Sequence, residues 1–214
     1  MSDRSFDDAS LSEGPICEGI VTTQSEGGDA SPYRVAPMGP RVLGDYEELL
    51  LRPFRSSQTY RNLREQGRGA FHVTDDVDLI ARAAVGRLDT LPAAAPFEIE
   101  SAVDVSYEVF YLADCCRRFA FEVVELDDSA ERTRIRCRVV HREEVRPFFG
   151  FCRAQFACLE LAILATRRHL YSPEVLAEEI VRLETIVDKT AGPKERATFA
   201  MLQKSLQETN PSNE

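Results

Sequence analysis

The chain has 214 residues, 43% of them hydrophobic and 29% charged, which suits one full soluble domain plus an appendage. Its formal net charge of −10 and sequence pI near 4.9 argue against general nucleic-acid binding and against an anionic membrane surface, while leaving room for a local cationic pocket. The lysines are Lys189, Lys194 and Lys204 alone, so nothing before them can serve as a P-loop or Schiff-base lysine.

Residues 1–14 read as a disordered acidic tail. Structure is expected to begin at Ile16 with a short β-prone run to Thr23. Residues 24–32, with Gly27-Gly28-Asp29, read as a hairpin connection. An extended path resumes from Tyr33 to Leu43. Pro37 and Pro40 cannot donate ladder hydrogen bonds, so this strand belongs at an edge or is interrupted. Residues 47–54 form the next strand, and a helix starts at Ser56 or Ser57 and stops at Gly67. Residues 70–75 follow as a strand, with His72 alternating with Phe71 and Val73 and so facing solvent. Asp75 or Asp76 caps a helix over residues 77–88, and the alanine- and proline-rich residues 89–96 read as a loop. Two longer strands, at about 118–126 and 132–140, are joined by a hairpin at 127–131. From Pro147 the pattern turns helical. Residues 151–170 are apolar on most sides, as in a helix buried in its own subunit or against a second one. Ser172-Pro173 starts an amphipathic helix marked by Leu176, Ile180, Leu183 and Val187, and a last helix carries Phe199, Leu202 and Leu206. The domains are then a β domain at 15–146, a helical region at 147–209 and a frayed tail at 210–214.

The stretch 52–64 stands out. Its thirteen residues hold four arginines, no acid, and the hydroxyls of Ser56, Ser57, Thr59 and Tyr60. A strand ending in arginine, then hydroxyls, then a helix N-terminus makes a phosphate site: free N–H groups and the helix dipole favour an anion, and arginine clamps phosphate oxygens in pairs. A well-capped, solvated surface helix has the same signature. The six cysteines form no CxxC pair, and the three histidines are scattered. Free thiols in a reducing cytoplasm are therefore expected, with no metal site. The start is acidic and polar, unlike a signal peptide, and no apolar run reaches the ~18 residues of a membrane span.

Four blocks in order, Gly19-Ile-Val-Thr-Thr23, Ala36-Pro-Met-Gly39, Leu51-Arg-Pro-Phe with Ser57-Gln-Thr59, and Gly69-Ala-Phe-His-Val-Thr74, resemble the FMN-binding split-barrel superfamily, the flavin-reductase-like proteins, in a branch of unassigned reaction. Thr74 stands where that superfamily commonly has asparagine. The resemblance implies a mainly β fold with α: a six-stranded antiparallel Greek-key split barrel, followed here by C-terminal helices, that dimerises and holds FMN. It implies that Arg52, Ser56, Ser57, Thr59 and Asn62 hold the phosphate. Thr22, Thr23, Ala36, Pro37, Met38 and Gly39 would lie along the flavin ring, with Val73, Thr74 and Asp75 closing the other side. An FMN-dependent oxidoreductase follows, with any nicotinamide donor, NADH or NADPH, visiting transiently because no Rossmann glycine motif is present. A non-catalytic FMN carrier or sensor, and a structural dimer with an empty pocket, remain as alternatives. No residue is identified as catalytic.

Overall fold

The computed structural model describes residues 14–24, 31–100 and 106–208. Of the expected tails at 1–14 and 210–214 all but Gly14 lies outside them, as do residues 25–30 of the expected hairpin connection at 24–32. Contacts divide the chain into two compact units, Met1–Thr74 with Pro92–Pro147, and Asp75–Leu91 with Phe148–Glu214.

The first unit is a curled antiparallel sheet of seven strands: β1 (Gly19–Gln24), β2 (Tyr33–Met38), β3 (Arg41–Leu43), β4 (Glu48–Leu51), β5 (Arg68–Val73), β8 (Arg117–Asp127) and β9 (Arg134–Glu144), in the order β2-β1-β5-β8-β9-β4-β3. The expected strand count was six. β2 and β3 are adjacent in sequence yet form the two opposite edges. The break at Gly39-Pro40 sends the chain from one edge to the other, and Pro37 sits on the edge strand where its missing N–H costs no ladder bond. The residues leading into β1 then join the far edge: Val42 N–H donates to Pro15 O (2.9 Å), Cys17 N–H donates to Pro40 O (3.1 Å), and Ile16 bridges Arg41. These bonds curl the sheet into a half-barrel.

One sheet face is filled by Val21, Leu49, Phe71, Phe119, Phe121 and Ile135, and is plugged by Tyr60 and Leu63 of helix α1 (Gln58–Gln66). The helix starts at Ser57 and ends at Gly67, whose φ of 65° suits a residue without a Cβ. The other face is covered by a two-stranded hairpin, β6 (Ala94–Glu100) and β7 (Ser106–Leu112), which packs Ile99, Val109 and Tyr111 on Ala70 and Ala120. Residues 94–96 are thus strand, where a loop was expected. Proline content pointed to a loop, but this hairpin forms its own small sheet, in which Pro96 is tolerated.

The second unit is helical: α2 (Val77–Ala84), α3 (Arg153–Thr166), α4 (Pro173–Thr190) and α5 (Pro193–Gln207), with a 3-10 turn at Arg168–Leu170. Asp76 caps α2, its Oδ1 accepting Leu79 N–H (3.1 Å). The helix stops at Ala84, short of the expected Leu88, and Gly86 turns the chain at φ 68°. Leu183, Val187, Phe199 and Leu202 are buried as their spacing requires. In α3 one side is buried through Ala154, Ala157, Cys158 and Leu161, while Phe156 stays 45% exposed, so this unit does not cover the helix all round. No helix among the described residues is long and apolar enough to cross a membrane.

Candidate functional site

The segment between β4 and α1 is strapped to the β8–β9 hairpin. Pro53 O accepts from both the backbone N–H (3.0 Å) and the hydroxyl (2.8 Å) of Thr133. Arg55 N–H donates to Glu131 O (2.9 Å), and the Arg132 guanidinium lies 4.1 Å above the Phe54 ring. These bonds hold the helix start in one place. Ser57 is the N-cap, its Oγ accepting Tyr60 N–H (3.2 Å), and the first turn carries no acid. The N–H groups of Gln58 and Thr59 have no partner within a helix of this geometry.

Arg52, Arg55, Arg61 and Arg64 are all exposed, and among the described residues none of the four forms an ion pair with a carboxylate. They are not equivalent. Arg61 is spent locally: Nε and Nη2 donate to Gln58 Oε1 (3.1 and 2.7 Å) and Nη1 to Ser56 O (2.8 Å). Arg55 Nη1 donates to Asp128 O (3.2 Å), and Arg64 lies 5.6 Å from the Tyr60 ring. Arg52 and Ser56, the residue before the cap, are exposed to solvent. Unpaired cations, hydroxyls and free N–H groups on one short segment form an anion-binding donor set.

Thr59 and Asn62 are buried in α1, which packs against β1 and β2. Asn62 Nδ2 donates to Thr23 Oγ1 (2.9 Å), so the structure brings Thr23 to the helix. Thr22 points to the other sheet face, where its hydroxyl donates to Phe110 O of β7 (2.5 Å). The two threonines thus serve opposite sides, as strand alternation requires. Ala36, Pro37 and Met38 lie across from Val21, Ile20 and Gly19. Met38 and Val73 pack on the inner core at the Gly19 end of β1, roughly 13 Å along the strand from Thr23 at ~3.3 Å per residue. A Cβ at Gly39 would meet Glu18 Oε1 at 2.5 Å and Ile16 Cγ2 at 2.6 Å, so the space beside this glycine is filled by two side-chain ends. Thr74 is buried at the end of the first unit. Asp75 belongs to the second unit, where its carboxylate accepts Phe149 N–H (2.7 Å).

Two constellations escaped the sequence reading. Tyr46, at φ 57°, stacks on Phe119 with ring centroids 4.4 Å apart, and Arg117 lies 4.6 Å above it. Its hydroxyl accepts from Arg117 Nη2 (3.2 Å) and donates to Cys17 Sγ (3.2 Å). Burial and the Cys17 bond push the Tyr46 hydroxyl pKa up, and burial raises that of Cys17. Arg117 is in register with Val73, so this stack stands at the Met38 end. These residues are far apart in the chain, and no local motif joins them. His72 is the second case. It is fully buried, contrary to the solvent-facing expectation, because the β6–β7 hairpin covers its side of the sheet. Leu112 N–H donates to Nε2 (3.1 Å), and Nδ1 donates to Ile20 O (3.2 Å), which defines a neutral ring. Burial holds its pKa down at about 3.

All six cysteines are free, and burial pushes the Cys115 thiol up to about 11, which keeps it protonated at neutral pH. Among the described residues no group of His, Cys, Asp and Glu is arranged to hold a metal.

Two family models match the chain, one described as "Protein of unknown function (DUF447) N-terminal domain" over residues 17–146 and one as "Protein of unknown function (DUF447)" over 152–204. Among solved structures, the chain is similar to the FMN-bound protein MM1853 from Methanosarcina mazei, of the same family, at 20% identity and a TM-score of 0.72, over 92% of this chain and 98% of that one. Weaker likenesses are to the flavin reductase PheA2 (16% identity, TM-score 0.43, 68% of this chain and 89% of that one) and to the styrene monooxygenase flavin reductase of Pseudomonas putida S12 (16%, 0.45, 60% and 82%).

Proposed function

We propose that this chain, which belongs to the DUF447 family, is an FMN-binding flavoprotein and acts as a flavin-dependent oxidoreductase of the flavin-reductase-like class. The observation that carries the reading is the segment from Arg52 to the start of α1: a fixed cap, the exposed Ser56, and arginines that no carboxylate pairs among the described residues. Cations, a hydroxyl and free helix N–H groups gathered on one short segment favour an anionic ligand. The FMN carried by the Methanosarcina mazei protein of the same fold supports the choice of anion.

The residues fit the group. Arg52, Ser56, Ser57 and the first N–H groups of α1 take the phosphate, with Thr59 and Asn62 behind them. The elongated ligand then runs from Thr23 along β1 and β2, where Ala36, Pro37, Met38 and Gly39 offer backbone groups and an apolar edge to the ring. Val73 and Thr74 flank the far end. When bound, FMN supplies hydride chemistry at its ring, and the chain binds it, orients it and excludes water. A nicotinamide donor visits transiently. The protein works as a homodimer in the cytoplasm: exposed Phe148, Phe149, Phe151 and Phe156 offer apolar surface to a second copy, and six free thiols suit a reducing compartment.

The visible spectrum of the purified protein tests the reading. Flavin bands that bleach with NADH or NADPH support the oxidoreductase; bands that persist support a carrier or sensor. Colourless protein that takes up no added FMN overturns the proposal.

A further inference from the structure

Arginine can only donate hydrogen bonds, and this property fixes the direction of a chain that ends at Thr23. Arg61 gives two N–H groups to Gln58 Oε1 (3.1 and 2.7 Å), so the Gln58 oxygen faces the guanidinium and its amide nitrogen faces away. That nitrogen donates to Asn62 Oδ1 (2.7 Å). The Asn62 amide is thereby oriented, and its Nδ2 donates to Thr23 Oγ1 (2.9 Å). Spacings of three and four residues put Arg61, Gln58 and Asn62 on one strip of the helix, while Thr23 comes from β1. The Thr23 hydroxyl now accepts within the protein and must donate elsewhere. Thr23 is 2% exposed, and among the described residues its proton has no acceptor. A buried hydroxyl donor without an acceptor is a defect in an empty site and a contact in a filled one.

We propose that Arg61, acting through Gln58 and Asn62, is a positioning residue that makes Thr23 a hydrogen-bond donor to the bound ligand, with the FMN phosphate as acceptor. The inference rests on the FMN reading above. Three features favour an anionic oxygen over a ring atom. The chain is polarised from a cation, which strengthens its last donor. Asn62 ties Thr23 to the helix whose N-terminus collects the anion-binding groups. Arg34 stands directly across from Thr23 on β2. Arg61 itself, with its guanidinium nitrogens engaged, needs no contact with the ligand.

The test titrates FMN and riboflavin into the full chain and into Thr23→Val, Thr23→Ser, Gln58→Met and the Thr23→Val/Gln58→Met pair, with melting temperatures alongside. A hydrogen bond to a charged group corresponds to about tenfold or more in affinity. Thr23→Val is therefore expected to weaken FMN about tenfold or more while riboflavin, which lacks the phosphate, changes little. Thr23→Ser is expected to restore binding. Gln58→Met, which alters no charge, is expected to weaken FMN by a few-fold (~3 to 10), and the pair to be no weaker than Thr23→Val alone, because both act through one hydroxyl. Should Thr23→Val fail to fold, Thr23→Ala replaces it. Wild-type protein that binds no FMN overturns the cofactor reading and the donor role together. FMN binding that survives Thr23→Val, or falls equally for riboflavin, overturns the donor role alone. A Gln58→Met loss that adds fully to that of Thr23→Val overturns the positioning role of the chain.

Discussion

Replacing His72 by phenylalanine tests how the two sheets are joined. The ring is fully buried and bonds on both sides, giving Nδ1–H to Ile20 O and taking Leu112 N–H at Nε2. Phenylalanine keeps the ring but leaves two buried backbone groups without partners, each costing about 1–3 kcal/mol. A loss of about 2–6 kcal/mol in unfolding free energy follows, a large share of a typical domain's stability. The pH dependence carries a second signature. His72 has a folded pKa of about 3 against an ordinary 6.5, because burial disfavours the charged form. The unfolded chain therefore binds a proton below pH 6.5 that the folded chain refuses. Stability is full above that value and falls with pH until about pH 3. At 1.36 kcal/mol per unit, the step from pH 7 to pH 5 removes about 2 kcal/mol. Urea unfolding of both proteins at the two pH values measures it. The carboxylates and the other two histidines contribute equally to both, so the wild type should lose about 2 kcal/mol more than His72→Phe. Equal losses would show that the ring titrates like an exposed histidine, and the argument for its burial would fail.

Arg52→Ala removes an exposed cation with no carboxylate partner among the described residues, and FMN affinity is expected to fall about ten- to a hundredfold, with riboflavin much less affected; equal losses for both ligands would assign Arg52 to the fold. Gly19→Ala places a Cβ 2.3 Å from His72 O and 2.9 Å from the Phe71 ring, so backbone must shift, and thermal melts should show a loss of at least about 1–3 kcal/mol. In Gly39→Val the atoms nearest the new Cβ belong to the Glu18 and Ile16 side chains rather than to backbone, so the fold is expected to survive; loss of bound flavin from the folded variant would place the ring at Gly39, and full occupancy would place it elsewhere. Sedimentation at micromolar concentration is expected to give a dimer, and a single species of 24.1 kDa would refute the proposed assembly.

Much of the local structure was legible because its cause is local. Ser57 and Gly67 bound α1, Asp76 and Ser172 cap their helices, and the spacing of Leu183, Val187, Phe199 and Leu202 predicts which faces are buried. Each signal lies within a turn or two of its effect. Pro37 is similar: a residue that cannot donate belongs on an edge, and β2 is an edge. The cluster of arginines and hydroxyls at 52–64 was visible for the same reason, being contiguous in the chain. How those arginines divide was not visible. Arg61 turns to Gln58 while Arg52 stays open, and side-chain packing decides that.

What depended on tertiary structure involves partners that are distant in sequence. Alternation along β1 and β5 says that Thr22 and His72 share a face, but not that the β6–β7 hairpin covers it. His72 is therefore buried where the same pattern on an open sheet would leave it wet. β2 and β3 are neighbours in the chain and opposite edges of the sheet, since closure depends on Ile16 and Arg41 meeting across the half-barrel. The helix Val77–Ala84 interrupts the strands in sequence, yet its contacts group it with the C-terminal helices, because Val77 and Ala81 find their apolar cover there. A sequence states which surfaces must be buried and how each short segment is shaped. Which surface buries which is settled only when distant segments compete for the same apolar area.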